Sequence, residues 1–381
     1  MEKKVLAFDF GASGGRAMCG TFDGDKISIE ELHRFSNDPV ILNGSMYWDV
    51  LRLFFEIKQG LIKAKKCGKI ESIGIDTWGV DFGLIDEEGR LLENPVHYRD
   101  ARTEGMIEES FKLIDKEKFY QITGNQFMDL NTAFQLLSLV KTRKELLEKA
   151  DKMILMPDLF NYFLTGEKKA EYSIASTTQL LDAKKGEWSD EVIEALGIPK
   201  HIFPEIVPTG TKIGTLTDEI CTELGLDKID VMAVAGHDTQ SALVSVPTSE
   251  EDFIFLSCGT WSLLGTELAE PIINEKSEHY NITNEGGYEE RFPSLRTSSD
   301  CGVFRKAVVS GSVKEMSTDL ASLRLWQKKL RHFRALLIRM HRNSHQPEIF
   351  RQESVNSARR QDSLFRKQLE KLFVASTRVL Q

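Results

Sequence analysis

The order of elements at the N-terminus constrains the fold of this chain most. Residues 4–10 read as a buried strand, and Asp9-Phe10-Gly11-Ala12-Ser13-Gly14-Gly15-Arg16 places three glycines before a second strand pattern at residues 16–22. Asp23-Gly24 makes a tight turn into a third strand, residues 26–35, so a three-strand meander is expected. Asp49 can cap a helix running to about Cys67. Val50, Leu53, Phe54, Ile57, Leu61 and Ile62 share one face of it, and Gly68 can stop it. A fourth strand follows at residues 72–77.

Three antiparallel strands, a helix and a further strand, with a glycine loop between the first two strands, form the core of a ribonuclease-H-like ATPase domain. Fold alone proves no activity. Farther on, a hairpin is expected at residues 80–85 and 90–92, helical texture at 106–150, 153–163 and 188–196, and a proline-rich loop at 203–208. Residues 230–235 read as an apolar strand, Gly236-His237-Asp238-Thr239 as a turn, and Gln240 as the start of a helix. Residues 253–256, the loop Ser257-Cys258-Gly259-Thr260 and residues 261–266 then repeat the opening strand, loop and strand. Gly20-Thr21 and Gly265-Thr266 sit near the ends of the two versions, which reads as a degenerate internal duplication.

At 381 residues the chain is long enough for two or three domains. Its start enters a strand pattern without an apolar leader, and no run approaches the length of a membrane span. Cys19, Cys67, Cys221, Cys258 and Cys301 are odd in number and lack metal-type spacing, so free thiols and a cytoplasmic location are expected. The net charge of −9 conceals a split. Residues 1–292 carry 31 Lys and Arg against 51 Asp and Glu, whereas residues 293–381 carry 18 against 7. Arginine rises from 8 to 12 across the same boundary and glycine falls from 25 to 2. Residues 293–381 are therefore expected to be a foreign basic tail, read as an out-of-frame continuation, with an amphipathic helix at about 320–340.

Phosphoryl transfer needs a clamped triphosphate, a metal ion, an in-line acceptor and often a carboxylate that takes the acceptor's proton. Asp9, ending the first strand, can hold Mg2+ through water, or simply cap a turn. Ala12, Ser13, Gly14, Gly15 and Arg16 can approach phosphates from one side, and Thr260 from the other. Asp238 can serve as a general base, or equally as a helix N-cap. Asp76-Thr77-Trp78-Gly79-Val80-Asp81 offers a flat ring beside two carboxylates, the pattern of a sugar site or of a packed core tryptophan. Tyr98-Arg99-Asp100-Ala101-Arg102 adds a polar cluster.

DFGASGGR, IGIDTWGVDFGLID, YRDART, TGNQFMDLNT, LMPDLFNYFLTG, YSIASTTQLLDA, VAGHDTQSA, FLSCGTWSLLG and NITNEGGYEE occur in this order over residues 4–292. Together they resemble the FGGY carbohydrate kinases. The resemblance implies an actin-like, two-domain α/β fold with ATP and sugar meeting in the cleft. It divides the chain into an N-terminal domain at 1–229, the start of a second at 230–292, and the unmatched tail. It further implies ATP and Mg2+ as cofactors and transfer of the γ-phosphate to the 1-hydroxyl of L-rhamnulose. Ala12 to Arg16 and Thr260 correspond to ATP contacts, Gly79, His237, Asp238 and Thr239 to sugar contacts, and Asp238 to the proton acceptor.

Three other readings stay open: a kinase for another ketose or polyol, an inactive remnant whose basic tail contacts acidic surfaces, and a cysteine hydrolase using Cys258 with His237 and Asp238. Membrane and nucleic-acid partners are not expected.

Overall fold

The computed structural model describes residues 2–246, 253–258, 261–298 and 335–339. Alternation along the first strand sorts its side chains. In Lys3–Gly11, Leu6, Phe8 and Phe10 are fully buried on one face while Asp9 lies on the other. The strand pairs antiparallel with Gly14–Phe22, which pairs antiparallel with Ile27–Ser36, and Ser72–Thr77 lies parallel on its other side. The meander read from the sequence is therefore present.

Asp49 accepts a hydrogen bond from the Arg52 N–H and starts the helix Val50–Ala64; a 3-10 turn, Lys65–Cys67, ends it, and Gly68 follows at φ +84°. Val50, Leu53, Ile57 and Leu61 of this helix pack with Leu6, Phe8, Phe10, Ile73, Ile75 and Phe160 in one core. Each such side chain contributes about 1.5–3 kcal/mol on burial. A second core gathers the helices Lys116–Thr123, Thr132–Thr142, Lys144–Lys149 and Asp190–Ala195 around Phe119, Phe134, Leu137 and Leu147.

The domain boundary expected before Asp230 falls inside the first sheet. Asp230–Met232 lies parallel to Ser72–Thr77, with Lys212–Thr215 antiparallel beyond it, so the sheet has six strands. A three-residue apolar strand carries no local mark of the sheet that will accept it. The same limit explains three more differences. Phe82–Ile85 gains Lys152–Leu155 as an antiparallel partner on one side, while the expected hairpin is present on the other in short form, with Ile85 bridging Leu91 and the Leu92 N–H donating to Leu84 O at 2.9 Å. Residues 153–155 are thus strand, and the helix begins at Met156 with a proline in its first turn. Glu205–Val207, expected as loop, pairs parallel with Lys169–Glu171.

The second sheet repeats the first in topology. Ile254–Cys258 pairs antiparallel with Ser262–Leu268, that strand with Phe292–Ser298, and Ala335–Arg339 lies parallel beside Ile254–Cys258. This matches the meander with its parallel fourth strand and gives the duplication read from the loops a structural counterpart. Two expectations for the tail change. Residues 293–298 belong to the second sheet, with Leu295 buried against Leu243, Phe253 and Phe255. Residues 335–339, placed in a helix by the sequence reading, form a strand; a short apolar run such as Ala-Leu-Leu-Ile is ambiguous by periodicity. The rest of that expected helix lies outside the described residues.

Candidate active site

Three strands of the first sheet carry charge at one level. Asp9 stands in register with Arg16 on one neighbour and with Asp76 on the other. Arg16 Nε donates to Asp9 Oδ2 at 2.9 Å. The Asp76 carboxyl is held well above the usual carboxylate range, first by burial and then by Asp9 and Asp238, with Ser241 opposing as a hydrogen-bond partner. Asp76 was named in the sequence only as a flank of the tryptophan; its register against Asp9 becomes visible once the two strands pair.

Asp238 reaches this row from the helix Asp238–Val244, whose N-cap is His237. Asp238 is thus the first helical residue rather than the cap, and the His237 side chain makes no capping bond. Burial raises the Asp238 carboxyl above its ordinary range, His237 pulls it down, and Asp9 pushes it up again. Thr239, itself buried, donates its hydroxyl to Asp238 Oδ1 at 3.3 Å. His237 Nε2 stands 3.5 Å from the same oxygen, and His237 Nδ1 meets Glu285 Oε2 at 2.9 Å. Gln240 donates to that Glu285 oxygen at 3.1 Å. Glu285 was legible only as part of a matched segment, because nothing local links residue 285 to residue 237.

Burial alone would depress the His237 imidazole, but Glu285, Asp238 and Glu171 outweigh it and raise it to about 9. With the folded value above the unfolded one of 6.5, this stabilisation is complete below pH 6.5 and is lost as pH rises through 9. We expect a loss on the order of 3 kcal/mol across that window, measured by denaturant unfolding, and a flattened profile in Glu285→Gln. Identical profiles for wild type and variant would remove the His237–Glu285 pair as its cause.

After Thr77, whose N–H donates to the Gly236 carbonyl at 2.9 Å, the chain turns sharply. Gly79 and His237 are thereby set at adjacent strand ends. Val80 has φ +70° and the Asp81 N–H returns to the Gly79 carbonyl at 3.0 Å, a γ-turn that strains a β-branched residue. Thr177 accepts the Val80 N–H, and Thr132 and Gln135 donate to the Val80 carbonyl. A Cβ on Gly79 would lie 3.2 Å from Thr177 Oγ1.

Asp81 does not face an open site as its sequence context suggested. Its carboxylate is buried and accepts from Trp48 Nε1 at 2.6 Å, Trp78 Nε1 at 3.0 Å, the Tyr98 N–H at 3.2 Å and Gln135 Nε2 at 3.0 Å. Burial lifts it to about 6 despite these donors. Trp78 is accordingly a packed ring, 4.1 Å between centroids from Trp48, which in turn stacks on His97 at 4.0 Å. The partly exposed ring is Trp261, which follows the second glycine loop. It lies 6.4 Å from Tyr98, and Arg99 sits over both rings.

Ala12 and Ser13 form the two-residue turn of the first hairpin, and Gly14, Gly15 and Arg16 open its second strand. Asn37 Nδ2 donates to the Gly11 carbonyl at 3.0 Å and ties the loop down. A Cβ on Gly14 would lie 2.8 Å from the Phe35 carbonyl oxygen, a backbone atom that can move only with its strand. Gly14→Ala should therefore destabilise by about 1–3 kcal/mol in a denaturant titration; an unchanged midpoint would show that the hairpin yields freely. Thr260 lies outside the described residues. Among the described residues no group of three or more His, Cys, Asp or Glu side chains is arranged to chelate a metal, and no helix is long and apolar enough to cross a membrane.

Residues 4–245 match the N-terminal domain of the FGGY family of carbohydrate kinases. The chain belongs to this family. Among curated FGGY relatives, a rhamnulokinase of Bacteroides thetaiotaomicron is 43% identical over 305 residues, covering 80% of this chain and 62% of that protein. A rhamnulokinase of Oceanobacillus iheyensis is 44% identical over 297 residues, covering 78% and 63%. The chain thus spans less than two thirds of the length of these relatives. Among solved structures, a ligand-bound xylulose kinase from Lactobacillus acidophilus aligns with TM-score 0.70 at 18% identity, over 86% of this chain and 66% of that one. A glycerol kinase from Plasmodium falciparum with ADP aligns with TM-score 0.66 at 18% identity, over 81% and 64%. These two share the FGGY kinase fold with this chain, the actin-like α/β architecture expected from its sequence. The match runs through Asp230–Met232, which pairs in the first sheet, and through the Asp238 helix.

Proposed function

We propose that this chain carries the catalytic face of an ATP-dependent kinase that phosphorylates the 1-hydroxyl of L-rhamnulose. One observation supports it above the others: Asp238, partly desolvated at a helix start, converges on the Asp9–Asp76–Arg16 row in a chain more than 40% identical to several rhamnulokinases.

Asp238 accepts the proton of the sugar hydroxyl as that oxygen bonds to the γ-phosphorus and the bond to ADP breaks. Its raised basicity suits this role, and Thr239 fixes its rotamer. His237, held by Glu285, and Gly79 border the sugar; Gly79 leaves room that a side chain would fill. Ala12 to Arg16 hold the phosphates from the first hairpin, and Thr260 is assigned to them by its motif position alone. The adjacent carboxylates of Asp9 and Asp76 fit Mg2+ bound through water rather than by direct chelation. When bound, the ion neutralises phosphate charge.

ADP release from the full purified chain, measured with L-rhamnulose and a panel of other ketoses and polyols, tests the reading. The highest kcat/KM with L-rhamnulose supports it. A better alternative sugar overturns the substrate, and no ADP release with any sugar overturns the competence of this chain.

A further inference from the structure

The main chain that delivers Asp238 to the site is held by a carboxylate that the phosphoryl-transfer reading does not use. Glu171 ends the strand Lys169–Glu171, caps the short helix Tyr172–Ala175 and is buried. Its Oε2 accepts from Ser173 Oγ at 2.6 Å, the Ile174 N–H at 3.1 Å and the Gly236 N–H at 3.0 Å. Its Oε1 accepts from the Thr209 hydroxyl. All four partners are donors. The Glu171 N–H in turn donates to Asp158 Oδ2 at 3.0 Å, which anchors the residue from a third element.

The His237 N–H lies 3.4 Å from Ser173 Oγ, and the Gly236 carbonyl accepts the Thr77 N–H at 2.9 Å. Three successive main-chain polar groups are therefore committed immediately before Asp238. Two of them run to Glu171, directly or through Ser173. Capping a four-residue helix accounts for the Ile174 bond, but not for a carboxylate that reaches across 65 residues of chain to Gly236. The glycine at 236 follows from the same contact. A Cβ there would lie 3.1 Å from Glu171 Oε2 and 3.0 Å from Pro157 Cγ, so the close approach of main chain to carboxylate requires its absence.

We propose that Glu171 is a positioning residue for phosphoryl transfer, fixing the Gly236–His237 main chain so that the Asp238 carboxylate meets the acceptor hydroxyl. This rests on the reading of Asp238 as the proton acceptor. Glu171 acts through the backbone and not by contact with sugar or phosphate. Misplacing a reacting group by about 1 Å costs on the order of 10²-fold in rate, so a rigid hold at this point has a kinetic effect.

ADP release by the full chain with L-rhamnulose is measured for Glu171→Ala and Glu171→Gln, each also combined with Asp238→Asn. In Glu171→Ala, kcat should fall roughly 10- to 100-fold while the KM for ATP stays within about two-fold, because the first hairpin is untouched. Glu171→Gln, whose amide oxygen can still accept from Gly236, should recover to within about five-fold of wild type. With Asp238→Asn already present, Glu171→Ala should cost less than about two-fold, since no base remains to be misplaced. An unchanged kcat in Glu171→Ala, or the same fold loss with and without the Asp238 carboxylate, overturns the proposal. Should Glu171→Ala fail to fold, Ser173→Ala removes only the hydroxyl link; it should lose about three- to ten-fold in kcat, again only where Asp238 is intact, and an equal loss in both backgrounds overturns the proposal. Amide exchange read by mass spectrometry does not depend on turnover. The peptide spanning Gly236 and His237 should exchange faster in Glu171→Ala while Lys3–Gly11 keeps its protection, and unchanged exchange at 236–237 overturns the proposal. Near-normal kcat in Asp238→Asn would instead overturn the underlying reading, and the exchange result tells the two failures apart.

Discussion

Asp238→Asn is expected to turn over roughly 10²- to 10⁴-fold more slowly than wild type, because the amide keeps the shape of the carboxylate but cannot take the proton of the sugar hydroxyl. The geometry predicts little loss of fold. Asp238 accepts one intramolecular bond, from Thr239, and its contact with His237 is 3.5 Å long. Removing its charge relieves repulsion from Asp9 and Asp76. The variant should therefore melt at or above the wild-type temperature while kcat falls and sugar KM stays within a few fold. Near-normal kcat would remove Asp238 as the proton acceptor. A collapse of the melting transition would instead mark it as structural.

Asp81→Ala should have the opposite profile, lowering stability by about 3–5 kcal/mol before any question of chemistry arises. Its two oxygens accept from two indoles, a main-chain N–H and a glutamine amide inside the core. Removing the acceptor strands both indoles and the Tyr98 N–H, while Gln135 keeps the Leu130 and Val80 carbonyls, and the strained turn at Val80 loses the residue that anchors its exit. Asp81→Asn, which keeps one carbonyl oxygen, should lose less. Trp48→Phe, which deletes one donor with its pyrrole ring, separates the hydrogen bond from the packing of the aromatic cluster. A midpoint shift equivalent to less than about 1 kcal/mol in Asp81→Ala would mean that water reaches these donors and that the carboxylate is dispensable.

The contrast between these two aspartates shows where sequence reading succeeds and stops. The N-terminal meander was legible because local signals agreed: alternating apolar residues, glycines at the hairpin, a capping aspartate and a glycine stop. Asp238 stood out because it follows an apolar strand and precedes a helix. Asp81 looked equally available, yet its role depends on Trp48, Tyr98 and Gln135, which the fold brings to it from three other segments. The same holds for Glu285 against His237, and for Asp76 against Asp9. Pairing between distant strands, as with Asp230–Met232 in the first sheet or Glu205–Val207 beside Lys169–Glu171, leaves no mark on either partner alone.

Asn125 carries a consequence of a different kind. Its Nδ2 donates to Ser176 O, Thr283 Oγ1 and Asn284 O, while Tyr120 reaches Ile282 O and the Gly286 N–H reaches Ser176 Oγ. Thr283–Asn284 is the edge strand of the second sheet, so these bonds rivet that edge to the helical layer of the first domain. Glu285, next along the chain, also holds His237 beside the carboxylate of Asp238. Asp238 therefore sits close to the bonds that join the second sheet to the first domain, not at an edge far from them.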